Sequence, residues 1–66
     1  GEQIYEEVLA QFLPRLGERW AAYGSQKEWE IVKVEADEIV LFSYGAEGSQ
    51  VRIVSRGELL GRWTQA

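Results

Sequence analysis

A chain of 66 residues carries eleven Asp and Glu against seven Lys and Arg, a formal net charge of −4, and contains neither Cys nor His. Disulfide staples, zinc sites built on thiolate or imidazole, and nucleophilic catalysis that needs His or Cys are thereby excluded. The acidic balance opposes the phosphate attraction that drives non-specific nucleic-acid binding, and no apolar run approaches the roughly 18 residues of a membrane span.

The length allows one small domain, residues 1–66. A core of this size seldom supplies more than about 3–5 kcal/mol, so tight aromatic packing or association with a partner has to stand in for a staple. Three Trp, three Tyr and two Phe provide the rings for such packing. The amino terminus shows no charged-then-apolar signal pattern, and a cytoplasmic setting is expected from the missing cysteines. A chain that begins with Gly and holds no Met is expected to be a cleavage product or an excised domain.

In chain order, Tyr5, Leu9, Phe12, Leu16, Trp20 and Tyr23 recur at helical spacing and predict a helix from Glu2 to Tyr23. Pro14 lacks an amide donor and biases Leu13 away from helical angles, so the helix must kink or break there. Gly24 is a natural stop. Ser25 and Glu28 have capping-box spacing, but the residues after them alternate like a strand, so no helix is expected at Ser25.

Three alternating runs follow, Trp29 to Glu35, Ile39 to Tyr44 and Gln50 to Ser55, and predict a three-stranded antiparallel meander. A loop from Glu35 to Glu38 sets Val34 opposite Ile39 and Val32 opposite Leu41 on one side, with Ile31 opposite Phe42 and Trp29 opposite Tyr44 on the other. The second turn runs through Gly45-Ala46-Glu47-Gly48, where Gly48 supplies a positive φ. A loop of three residues there puts Val51 and Ile53 with Val32, Val34 and Leu41, whereas a loop of four puts them beside Phe42. Beyond it, Ser55 and Glu58 have capping-box spacing ahead of Leu59, Leu60 and Trp63, which predicts a short helix. The fold class is therefore α+β: a kinked or broken amino-terminal helix, the meander, and a short carboxy-terminal helix. Leu9, Phe12, Leu16 and Trp20 are expected to pack on Val32, Val34 and Leu41.

The chemistry-bearing residues form no recognised catalytic or metal-ligating motif. Glu28, Glu30, Glu35, Asp37 and Glu38 crowd the first hairpin, but so small a turn offers no cleft to desolvate a carboxylate, and they read as a solvated tip. They also lack the ligand spacing of a calcium or magnesium loop. Gly45 and Gly48 open no helix and precede no Lys-Ser/Thr pair, so they cradle no phosphate. Ser43, Ser49 and Ser55 have no base partner. No catalytic residue, cofactor or metal is assigned.

The remaining constellation is the sheet face expected to carry Trp29, Ile31, Lys33, Phe42 and Tyr44, and Arg52 as well if the second loop has three residues. The long helix can cover only one side of the sheet, so this face is the candidate contact surface. Aromatic and Arg side chains anchor interfaces, which points to a non-catalytic protein-interaction module: an adaptor or subunit contact domain, binding a protein partner or its own copy. The alternative is a small nucleic-acid binder that stacks bases on the same rings, and the net charge counts against it.

Overall fold

The computed structural model describes residues 2–66. Helix α1 spans Glu2–Gln11, followed by β1 at Arg19–Ala22, β2 at Trp29–Glu35, β3 at Glu38–Gly45, β4 at Gly48–Val54, α2 at Arg56–Arg62 and β5 at Trp63–Gln65. The class is α+β, with two helices and one antiparallel sheet of five strands in the order β4-β3-β2-β1-β5. Three of those strands are the expected meander, and β1 and β5 extend it.

The proline breaks the first helix outright. α1 ends at Gln11, residues 12–15 have no regular structure, and the buried Pro14 opens no second helix. Gly17 then takes a left-handed φ of 88°, turning the chain into β1. Where the helix was expected to continue to Tyr23, Arg19–Ala22 is thus a strand and Tyr23 lies in the turn after it. Trp20 and Ala21, whose side chains alternate across the sheet, are both buried in β1, which runs between β2 and β5. At the other end Ser55 caps α2 as its spacing predicts: its Oγ accepts the Glu58 N–H at 3.0 Å, and Leu59 is buried. Trp63, expected within that helix, instead opens β5 and pairs opposite Ala22.

Both hairpins turn tightly. Glu35 pairs with Glu38 and Gly45 with Gly48, leaving Ala36-Asp37 and Ala46-Glu47 as the turns. Gly48 takes the expected positive φ, 101°, but the turn before it has two residues and not the three or four expected, since Gly45 pairs directly with Gly48. Ala36 has a φ of 47°, where its Cβ crowds the following carbonyl. Ala36→Gly is therefore expected to raise stability by about 1 kcal/mol in denaturant titration. An unchanged or lower midpoint would show that the turn carries no such strain.

The first hairpin keeps the expected Val34–Ile39 pair and then slips. Between Ile31 and Lys33 the register shifts, leaving Val32 as an extra residue, so that Ile31 faces Leu41 and Glu30 faces Phe42. Directly opposed residues share a side of the sheet. Trp29 and Ile31 therefore join Ile39 and Leu41, not Phe42 and Tyr44.

That inner side is the core. Trp20, Trp29, Ile31, Ile39, Leu41, Val54, Leu59 and Trp63 form one buried cluster, with Phe12 and Ala22 packed against it. The Phe12 and Trp20 rings meet edge to face at 5.8 Å, as do Trp29 and Trp63 at 6.3 Å. Of the expected core, Leu41 and Trp20 are buried and Phe12 lies at its margin, whereas Leu16, Val32 and Val34 are exposed. The reason is the place of α1. It rests against α2 rather than on the sheet: the Arg56 guanidinium donates to the Leu9 and Phe12 carbonyls, and a Cβ on Gly57 would lie 3.2 Å from the Tyr5 hydroxyl.

Candidate functional site

Because α1 sits aside, no helix among the described residues packs against the outer side of β3 and β4. Val40 lies opposite Ile53, Phe42 opposite Val51, and Tyr44 opposite Ser49, which brings five apolar side chains onto one side of two adjacent strands. Val40 and Phe42 are half-buried by their neighbours. Tyr44 is 80% exposed, Val51 65% and Ile53 59%. This is an apolar surface on the order of a few hundred Å², the size at which exposed patches mark interaction sites.

Its border is charged and largely self-neutralised. Lys33, opposite Val40, pairs with Glu35 at 3.2 Å, and Arg19, opposite Glu30, pairs with Glu28 at 3.6 Å. Arg19, Glu28 and Glu30 line a small cleft of about 120 Å³ beside Phe42 and Tyr44. These exposed ion pairs contribute little to stability, about 0–1 kcal/mol each. They frame the apolar patch.

Of the six residues expected on one face, the structure brings together Lys33, Phe42 and Tyr44 on the outer side. Trp29, Ile31 and Arg52 lie on the inner side. Trp29 is 8% exposed and Ile31 0%, so neither ring nor branch is free to touch another molecule. Arg52 faces inward with Leu41 and lays its guanidinium 5.1 Å from the Trp63 ring centroid. The correction has two causes: the extra residue at Val32 reverses the side on which the first half of β2 presents Trp29 and Ile31, and the parity of the second turn sets Arg52 opposite Leu41 instead of Phe42.

Val40, Val51 and Ile53 complete the outer patch and were not among the expected site residues. The signal for two of them was the parity of the second turn: Val51 and Ile53 lie beside Phe42, as an even-numbered loop requires. A further exposed apolar stretch runs along α1 through Ile4, Tyr5 and Val8.

The carboxylates of the first hairpin lie at the surface or in polar contacts. Glu28 and Glu35 are in ion pairs, Asp37 Oδ1 accepts the Arg56 backbone N–H at 3.0 Å, and Glu38 is exposed at the hairpin end. Among the described residues no three potential metal-ligating side chains come together, and no helix is long and apolar enough to cross a membrane. Compared with protein-family models, curated proteins and solved structures, the chain matches none.

Proposed function

We propose that this chain is a non-catalytic protein-interaction module, an adaptor or subunit contact domain, that docks through the outer side of β3 and β4. The observation that carries the reading is the row of Tyr44, Val51 and Ile53, exposed together on one sheet side that no helix among the described residues covers. Tyr44 is the anchor: a large amphipathic ring on a rigid strand loses little entropy on binding. Phe42 provides the floor beneath the partner, and Lys33 lies at the rim. The proposed setting is the cytoplasm, in keeping with a chain free of cysteine.

The test compares the wild-type chain with Tyr44→Ala combined with Ile53→Ser. Self-association is read by sedimentation over a concentration series, and partner association by the affinity for a protein co-purified with the tagged chain. The variant is expected to weaken the observed association at least tenfold while Trp fluorescence reports an intact core. Unchanged association of both kinds overturns the reading. A steep loss of binding with salt, with nucleic acid as the captured species, overturns it in favour of phosphate recognition.

A further inference from the structure

The cations of this acidic chain are unevenly placed. Arg19 and Lys33 are paired with carboxylates, and Arg56 holds the end of α1. Lys27, Arg52 and Arg62 gather on the inner side of β4. Lys27 lies 4.8 Å from the Trp29 ring centroid and also donates to Gln50 Oε1. Arg52 lies over Trp63, the ring that meets Trp29. Arg62 and Arg52 line a cleft of about 410 Å³ together with Tyr23 and Glu58. The Glu58 carboxylate accepts the Trp63 indole N–H at 3.4 Å. Among the described residues none of these three cations makes an ion pair.

This basic strip runs beside an open edge. β4 ends the sheet, every residue from Gly48 to Ile53 is exposed, and no proline interrupts it. Its outward main-chain groups are a template for another strand. Gln50 and Arg52 point to the inner side with Ser43 and Leu41, while Val51 and Ile53 point to the outer side. A strand added to this edge would set successive side chains alternately against the cations and against the apolar patch.

We infer that the free edge of β4 takes up an extended segment of a partner protein in which acidic and apolar residues alternate. The main chain of the segment continues the ladder. Its carboxylates face Arg52, Lys27 and Arg62, and its apolar side chains join Val51 and Ile53. This rests on the reading of the outer side as a docking surface and adds the chemistry of the partner. Charge also selects against a second copy, because pairing two β4 edges brings the two basic strips together.

The probe is an end-capped, fluorescein-labelled octapeptide of alternating Glu and Val, titrated by anisotropy. Binding is expected, at least tenfold weaker to Arg52→Glu and weakened by Arg62→Gln, a surface change that keeps the fold if the first does not. In an added strand only alternate residues turn their amides to the edge. N-methylation of one alternate set is therefore expected to abolish binding, and of the other set to leave it. No binding, equal binding of a peptide with its Glu and Val residues in separate blocks, or equal binding of both methylated forms overturns the inference. If the peptide fails while Tyr44→Ala with Ile53→Ser still weakens partner association, edge addition falls and the docking surface stands.

Discussion

Leu41→Ala is expected to lower stability by about 2–5 kcal/mol, because it deletes a large buried side chain and leaves a cavity that the sheet cannot close. Leu41 is 0% exposed at the centre of β3, with Ile31 and Arg52 opposite it on the two flanking strands. Its neighbours in the core are held by backbone ladders on both sides, which limits relaxation into the void. In a domain of this size the loss approaches the whole folding free energy of about 3–5 kcal/mol. Urea titration followed by Trp emission is the measurement. A loss below about 1 kcal/mol would place Leu41 outside the cooperative core.

Arg56→Ala is expected to release α1 while leaving the sheet folded. The helix has no basic residue in its last turn, and the Arg56 guanidinium supplies that charge from α2, donating to the Leu9 carbonyl at 2.6 Å and the Phe12 carbonyl at 2.5 Å. A hydrogen bond from a charged donor contributes about 1.5–3 kcal/mol, and these acceptors are partly buried. The remaining hold on α1 is slight, since Ile4, Tyr5 and Val8 are exposed. Amide exchange resolves the outcome: α1 loses its protection while β2 and β3 keep theirs. Exchange of α1 unchanged from wild type would show that the cap is not what fastens it.

The parts of the fold written in local chemistry were legible. Pro14 ends the helix because it lacks a donor, Ser55 caps α2 because its hydroxyl reaches the Glu58 amide, and Gly48 takes the positive φ of its turn. The two added strands were not legible, since neither is long enough to show a period: β1 has four residues and β5 three. Trp20 and Tyr23 also happened to continue the helical spacing of α1, so composition and period agreed on the wrong element. Trp63 likewise fitted the spacing of the helix that precedes it.

The candidate site was half legible for a different reason. Phe42, Tyr44 and Lys33 follow from the alternation of β3 and from the turn end of β2, where Val34 pairs with Ile39 as expected. Trp29 and Ile31 were assigned by extending that register past Val32. Nothing in the run Ile31-Val32-Lys33-Val34 announces an irregularity, because no Gly or Pro marks it. What decides the matter is tertiary: Gly17 donates to the Ile31 carbonyl and Ile31 to the Glu18 carbonyl, so the strand is held from its other side at that point.

Val32 has a further consequence for chain length. Without it, the order Trp29, Glu30, Ile31, Lys33, Val34, Glu35 alternates inner and outer sides without interruption, and every pair with β3 is retained. β2 is thus one residue longer than its ladder requires. The surplus residue sets curvature rather than pairing, since a bulge bends and twists its strand. Shortening the chain at this one position separates the two: the partners stay the same, and the irregularity between Ile31 and Lys33 goes with the deleted residue.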